Sequence, residues 1–185
     1  MSITTRIGDK GTTRTYSNET ISKRSKRIVV CGYTDDLVSI LGVAYAEIPY
    51  TSTDELYGML REEITYIQRK LFLVGSEIAT LEPKLSQLKD RIDENALLFL
   101  DTKRDLLESN IELPKGFILP GANKLSSLLD VARTACRKCE PPLVELYEEG
   151  FIANKYLLMW MNRLSDYLYL LARYTEHNNY RLVKE

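Results

Sequence analysis

The feature that most constrains the fold is a long apolar stripe in the first half of the chain. Its members are three or four residues apart, which is the period of an α-helix, so they share one face. They are Leu56, Leu60, Ile64, Ile67, Leu71, Val74, Ile78 and Leu81. A capping box at residues 52–55 predicts where this helix begins, and Pro83 predicts its end. Because such a long apolar face must be covered by other helices, the sequence predicts a helical bundle.

Further helices are predicted from the same period. They occupy residues 34–48, residues 90–109, a segment that follows a turn at 119–121 and continues to 140, and residues 151–174. Asp35 is expected to act as a cap at the first of these. Pro141 and Pro142 are expected to begin a new segment, because proline interrupts a helix. The prediction is an all-α protein with one domain over 1–185, made of an N-terminal segment at 1–27, a bundle at 28–175 and a polar tail at 176–185.

The composition and charge of the chain exclude several classes of protein. With 25 basic and 26 acidic residues, the chain has no overall positive field for nucleic acid or a membrane surface. We expect no leader peptide, and no apolar run approaching the roughly 18 residues that a membrane span needs. The three cysteines do not form an even disulfide framework, which favours a reducing compartment, the cytoplasm.

A charged strip lies on the helix that ends at 140. At roughly 100° per residue, Arg133, Arg137 and Glu140 fall within about 60° of one another, beside an apolar stripe. Two arginines four residues apart repel each other unless an anion lies between them. The residues alone leave an anion site and a salt-bridge cluster within the bundle as equal alternatives. On the last helix, Asn162, Asp166 and Arg173 form a polar strip that is expected to face solvent or another subunit.

The N-terminal segment contains a second candidate site for an anion. Its string at 5–13 reads TRIGDKGTT, with two glycines three residues apart between hydroxyl and basic side chains. Glycine allows backbone N–H groups to converge on an anion, and Lys10 can add a donor. An ordinary surface turn is the alternative. The basic run of Lys23, Arg24, Lys26 and Arg27 is interpreted as a solvated segment. Alternatively, one of its members contacts phosphate.

The chain offers few groups for protein-based catalysis. Cys136 and Cys139 lie within an apolar stripe, and the single histidine, His177, is in the polar tail, so we interpret the cysteines as core residues and predict no metal held by side chains. No nucleophile and base can be paired. Such a set of residues suits a reaction in which a substrate supplies the nucleophile and the protein binds a polyphosphate.

Several motifs together resemble one family, the PduO-type ATP:cob(I)alamin adenosyltransferases. They are TRIGDKGTT at 5–13, SK at 22–23, GYTDDLVS at 32–39, FILPG at 117–121, VARTACRKCE at 131–140 and NRLSDY at 162–167. They occur in the family's order and spacing from about residue 3 to 173. The resemblance implies a five-helix bundle, assembled as a homotrimer with active sites between subunits. It also implies transfer of the 5′-deoxyadenosyl group of ATP to the cobalt(I) of a reduced corrinoid, with release of triphosphate and with Mg²⁺ as the ion that accompanies ATP.

The resemblance also implies roles for individual residues. The ATP-binding residues would be Thr5, Arg6, Gly8, Asp9, Lys10, Gly11, Thr12, Thr13, Lys23, Arg133, Arg137, Glu140 and Asn162. Arg133, Arg137, Glu140 and Asp35 would be catalytic, with Asp35 paired to Arg133 of a neighbouring subunit. Phe117 would contact the corrinoid and displace its lower axial base. A corrinoid reductase and a vitamin B12-dependent enzyme are the implied protein partners.

The sequence departs from the family pattern at four positions. Val38, Ile7, Ala122 and Pro141 stand where asparagine, a polar residue, glycine and arginine are usual. These departures concern corrinoid affinity and loop geometry more than the reaction class. The alternatives to an adenosyltransferase are a protein of the same fold that binds ATP or a corrinoid for delivery or sensing, and a purely structural bundle.

Overall fold

The computed structural model describes residue 4 and residues 6–183, without the side chains of Ile7 and Glu82. Within this part of the chain, five α-helices form the bundle: α1 (Lys26–Ala46), α2 (Glu55–Ile78), α3 (Glu94–Ser109), α4 (Lys124–Glu148) and α5 (Lys155–Tyr174). Helix α4 packs against α1 on one side and α5 on the other, while α2 packs against α1 and α3 against α5. The predicted all-α, five-helix bundle is confirmed.

The apolar stripes predicted from the sequence form the core. On α2, the six central members of the stripe, from Leu60 to Ile78, are almost fully buried, as are Leu129, Cys136 and Leu143 on α4. Helix α2 begins at the Asp54 cap, whose carboxylate accepts a hydrogen bond from the Leu56 amide at 2.9 Å. The predicted capping box at 52–55 is therefore wrong by two residues, and α2 ends at Ile78 rather than continuing to Leu81.

Helix α1 begins earlier than predicted. It starts at Lys26, so Thr34, Asp35 and Asp36 lie in its middle and do not cap it. The Thr34 hydroxyl instead donates to the Cys31 carbonyl at 2.7 Å. Burial of Val30 and Leu37 on one face extends the helix through this polar triplet. By length and composition alone, α1 could also cross a membrane, with a mean hydropathy of 1.4. No such segment was expected from the sequence.

Helix α4 runs through the two prolines. Pro141 and Pro142 lie inside α4, so the predicted break at these positions is wrong. Neither proline has an amide hydrogen, and the carbonyls of Arg137 and Lys138, four residues earlier, therefore lose their intrahelical donors. Burial of Cys139, Leu143 and Leu146 along the α4 core face explains why the helix continues despite this loss.

The N-terminal segment forms a small docked unit. A 3₁₀ turn at Ile7–Lys10 leads into an antiparallel hairpin of β1 (Thr12–Arg14) and β2 (Thr20–Ser22). The Arg27 guanidinium ties this unit to the bundle by bonding Glu19 at 2.7 Å and the Ile78 carbonyl at 2.8 Å. Arg27 is thus buried, and the interpretation of the basic run as solvated is wrong for this member. Its charge is satisfied by Glu19, which permits the burial.

Candidate active site

A groove between α4 and α5 collects most of the predicted charged residues. Arg133 and Arg137 line a cleft of about 440 Å³ together with Asp166 and Tyr169 of α5. Helix α3 contributes Arg104 and Glu108 to the same cleft. These two residues were not predicted from the sequence, because the periodicity of α3 does not reveal which helix its polar face meets.

The groove continues along the same two helices. Glu140 and Asn162 line a second cleft of about 310 Å³, whose other walls include Leu143, Leu158 and Met159. The structure therefore brings Asn162, from a motif more than twenty residues away in the sequence, to the face that carries Glu140. A polar end and an apolar wall in one cleft suit a ligand that has both a charged and a flat apolar part.

The two arginines of the strip differ in their surroundings. The Arg133 Nε atom donates to the Asp130 carboxylate at 3.1 Å. Arg137 is exposed, and it makes no hydrogen bond or ion pair with any residue that the structure describes. Of the two alternatives, the salt-bridge cluster thus applies to Arg133. Arg137 is an uncompensated cation in a cleft, which favours an anion-binding site.

The salt-bridge cluster is buried and includes a residue that was predicted to be exposed. Arg173 is 0% exposed and bonds Asp130 at 2.6 Å and Glu176 at 2.8 Å. Its predicted position on a solvent or subunit surface is therefore wrong, although Asn162 and Asp166 are exposed as predicted. Burial by itself would lower the pKa of Arg173, but the hydrogen bonds to Glu176 and then Asp130 outweigh it and raise this pKa.

A larger cavity adjoins the arginine cleft. It has a volume of about 540 Å³ and lies between the segment that carries Phe117 and the α4–α5 pair. Arg133 and Tyr169 line both this cavity and the arginine cleft, so the two spaces are contiguous. Phe117 lies at the rim of this cavity and is 88% exposed. An exposed aromatic ring beside an empty volume of this size suits a bulky, flat ligand.

The Phe117 segment is held by the end of the chain. The Leu119 amide donates to the Arg181 carbonyl at 2.6 Å, and the Val183 amide donates to the Phe117 carbonyl at 2.9 Å. The Tyr180 hydroxyl adds a bond to the Glu112 carbonyl at 2.7 Å. The segment predicted to be only a polar tail therefore pairs with the Phe117 backbone, and its polar composition did not reveal this.

The glycine string of the N-terminal segment lies beside Lys23. The Lys23 ammonium is so close to Gly8 that an added Cβ would be 2.8 Å from Nζ. The Lys23 amide also donates to the Gly11 carbonyl at 2.9 Å, and Gly11 has a φ of 78°, which favours glycine. Lys10 in a right-handed conformation followed by Gly11 in a left-handed one is a pattern of anion-binding backbone.

The remaining residues of the string have different positions. Asp9 and Lys10 are exposed, whereas Thr12 and Thr13 are half-buried in β1. Arg6 is exposed with a φ of 59°, an unusual conformation for a residue with a side chain. Thr5 lies outside the described residues.

Asp35 lies on a different surface from the arginine strip. It is exposed on α1 and lines a cleft of about 240 Å³ with Tyr16 of the hairpin turn, Val38, and Leu71 and Gly75 of α2. None of the described residues lines both this cleft and the cleft that contains Arg133. We name the predicted site residues outside the α4–α5 groove the α1–α2 half-site (the loop at 6–13, Lys23 and Asp35), and the remaining ones the α4–α5 half-site (Phe117, Arg133, Arg137, Glu140 and Asn162).

The cysteines are free thiols, of which Cys136 and Cys139 are buried and Cys31 is half-buried. Burial raises the pKa of Cys31 to about 11 and of Cys139 to about 12, and it raises the pKa of Cys136 well above its ordinary value. These thiols stay protonated at neutral pH, which agrees with their interpretation as core residues. In the described part of the chain, no three His, Cys, Asp or Glu residues are grouped so that they could hold a metal ion.

The fold and these clefts define a class: a helical-bundle protein with an arginine-lined cleft next to a larger cavity. Comparison with known proteins specifies the family. A family model described as cobalamin adenosyltransferase matches residues 3–175. A corrinoid adenosyltransferase of Citrobacter freundii is 36% identical over 94% of each chain, and one of Bacillus subtilis is 36% identical over 94% of this chain and 86% of its own.

A solved structure agrees with these relatives. A variant of the PduO-type ATP:corrinoid adenosyltransferase from Lactobacillus reuteri, complexed with cobalamin and ATP, superposes with a TM-score of 0.86 at 31% identity, covering all of both chains. The chain belongs to the cobalamin adenosyltransferase family. The family and the fold predicted from the sequence motifs are confirmed.

Proposed function

We propose that this protein is an ATP:corrinoid adenosyltransferase, which transfers the 5′-deoxyadenosyl group of ATP to the cobalt(I) of a reduced corrinoid. The observation that carries the proposal is Arg137, which is exposed and has no partner among the described residues, beside Arg133 in a cleft that adjoins the cavity under Phe117. In the reaction, the cobalt(I) electron pair forms the bond to C5′. The bond from C5′ to the phosphate oxygen breaks, and its electrons leave with triphosphate.

Side chains of the protein stabilise the negative charge that develops during this step. Negative charge grows on the bridging oxygen as triphosphate departs, and the two guanidinium groups of Arg133 and Arg137 stabilise it. Asn162 and Glu140 line the adjacent cleft and would orient the nucleotide. Phe117 would lie against the corrinoid and keep its lower axial base away from cobalt.

Mg²⁺ fits the site as a companion of ATP rather than as a resident ion. The described residues contain no group of three metal-binding side chains, so phosphate oxygens would supply most of its ligands. When bound, Mg²⁺ would neutralise part of the triphosphate charge. The Glu140 carboxylate would orient the groups that surround this ion.

Assembly would join the two half-sites. We propose a homotrimer in which the α1–α2 half-site of one subunit meets the α4–α5 half-site of the next, with Asp35 paired to Arg133 across the interface. This is supported by the separation of the half-sites within one chain. It is also supported by α1, of whose most apolar stretch only 28% is buried, leaving Val29, Val43 and Tyr45 exposed. The three free cysteines support a cytoplasmic location.

The decisive assay combines the protein with ATP, Mg²⁺ and chemically reduced cobalamin. We expect the cob(I)alamin absorbance to fall while adenosylcobalamin and triphosphate appear in equal amounts. A reaction without ATP controls for oxidation of cob(I)alamin by residual oxygen. Binding of ATP without formation of adenosylcobalamin would instead support delivery or sensing, and binding of neither substrate would support a structural bundle.

A substitution in the glycine string tests the α1–α2 half-site. In the Gly8→Ala variant, the new Cβ would lie 2.8 Å from the Lys23 Nζ atom and displace this ammonium. If Lys23 binds triphosphate, we expect the KM for ATP to rise about tenfold, the loss of roughly 1.4 kcal/mol of binding. Gly58→Ala is the matched control, because a Cβ there meets nothing within 4 Å. An unchanged KM in steady-state kinetics of Gly8→Ala would remove Lys23 from the ATP site.

A further inference from the structure

A buried carboxylate, Asp130, lines the cavity under Phe117 and contacts Arg133, which lines both this cavity and the arginine cleft. It is 4% exposed and bonds a different arginine with each of its oxygens. Oδ1 accepts from Arg133 Nε at 3.1 Å, and Oδ2 accepts from Arg173 Nη2 at 2.6 Å. Arg133 is on the same helix, one turn along, whereas Arg173 comes from the end of α5. Asp130 therefore determines how a residue of the site is placed relative to the neighbouring helix.

The charges of this cluster explain why Arg133 is held there. Arg173 is fully buried and contacts two buried carboxylates, Asp130 and Glu176, which is 5% exposed. These three groups together carry one excess negative charge in a desolvated environment. Burial of uncompensated charge is costly, so the cluster attracts a further cation. Arg133 supplies that cation through Nε and brings the cluster to neutrality.

The same arrangement leaves the two terminal amino groups of Arg133 available to a ligand. Because Nε is the atom that bonds Asp130, the two terminal amino groups make no hydrogen bond to any residue in the described part of the chain. Arg133 lines both the arginine cleft and the cavity under Phe117. A long side chain that is fixed at Nε loses much less rotamer freedom when a ligand binds.

We propose that Asp130 and Arg173 are positioning residues for Arg133: Arg173 orients the Asp130 carboxylate, and Asp130 holds Arg133 so that its terminal groups stay at the arginine cleft and the cavity under Phe117. The placement of Arg133 depends only on the geometry of the cluster. Its consequence for turnover rests on the proposed function. These two parts can be tested separately.

The placement is tested by the reactivity of Arg133 towards phenylglyoxal, a reagent for guanidinium groups, with the modified sites quantified by mass spectrometry. In Asp130→Asn, one of the two oxygens is replaced by an NH₂ group that cannot accept a hydrogen bond. The remaining oxygen stays with Arg173, whose desolvation is complete. We expect Arg133 to be modified severalfold faster than in the wild type, while Arg137 on the same strip is modified at an unchanged rate.

Two further variants make this result specific. Glu77→Gln removes a different buried carboxylate, 3% exposed and paired with Arg91, which lies outside both half-sites. It should lower the melting temperature without changing the reactivity of Arg133. Arg173→Lys keeps the charge but replaces the planar fork that contacts both carboxylates, and it should raise the reactivity of Arg133 as Asp130→Asn does. Equal Arg133 reactivity in the wild type, Asp130→Asn and Arg173→Lys would overturn the proposal.

Kinetics test the consequence for the reaction. In Asp130→Asn we expect kcat to fall about tenfold and the KM for the corrinoid to stay unchanged, with part of kcat recovered in Asp130→Glu. Glu77→Gln should keep the wild-type kcat at a temperature where it is folded. A wild-type kcat in Asp130→Asn would refute the positioning role. If the wild type forms no adenosylcobalamin, the proposed function is wrong, and the phenylglyoxal rates still decide whether Asp130 and Arg173 place Arg133.

Discussion

Replacing Arg137 with alanine will lower the rate of adenosylcobalamin formation by about 10²-fold or more. Arg137 is exposed in the α4–α5 groove and has no partner among the described residues, so its charge is available for the leaving triphosphate. The loss of one charged contact that strengthens in the transition state has this magnitude. The measurement is kcat with saturating ATP, Mg²⁺ and cob(I)alamin. Because none of the described carboxylates loses a partner through the change, the fold should be unaffected.

Lys138→Ala is the matched control for this prediction. Lys138 is the next residue on α4 and is also an exposed cation, but it lies over the Tyr33 ring of α1 at 4.5 Å, away from the groove. Its removal changes the net charge equally and should leave kcat near the wild-type value. If Arg137→Ala and Lys138→Ala have the same small effect, Arg137 does not bind the leaving group, and the α4–α5 groove is not the triphosphate site.

The Asp35→Asn variant is expected to weaken both catalysis and assembly. Asp35 is exposed on α1 and makes no ion pair within the described part of its own chain, so its charge is free for Arg133 of a neighbouring subunit. Loss of one partner from a charge pair at an interface costs roughly 2 kcal/mol or more. We expect kcat to fall at least about tenfold, and the trimer to dissociate at higher protein concentration in sedimentation velocity.

The adjacent carboxylate provides the control. Asp36 is also exposed, but it faces α4 and lies in a cleft with Lys138 and Ala135 rather than with α2. Asp36→Asn therefore removes the same charge from the same helix without touching the α1–α2 half-site. A fully active, intact trimer in Asp35→Asn would contradict the pairing with Arg133. Equal losses in both variants would indicate a general effect of charge on α1.

Local patterns predicted the elements that depend on neighbouring residues. The apolar period on α2 and the strip of Arg133, Arg137 and Glu140 on α4 are properties of single helices, and the structure has both. Errors occurred where local chemistry competes with packing. Thr34 to Asp36 has the composition of a helix start, and Pro141 that of a break, yet burial of the surrounding apolar residues continues both helices through them.

The partners of the site residues could not be predicted in this way. Arg173 has the polarity of a surface residue, and only the approach of α5 to α4 places it beside Asp130, 43 positions earlier. The pairing of Phe117 with Val183 and the position of Lys23 beside Gly8 likewise join distant segments. Backbone polarity and side-chain charge identify groups that need partners, but they do not identify which partners fold against them.

The sequence by itself determined the helical class, the charged strip and the order of motifs that marks the cobalamin adenosyltransferase family. It could do so because helical period and motif spacing depend on residues that are only a few positions apart. Only the tertiary structure decided that Arg133 is held by a buried cluster, that Arg137 has no partner in the described part of the chain, and that Asp35 lies on another surface. These distinctions depend on burial, since a charge removed from water must find its counter-charge wherever the packed chain brings one.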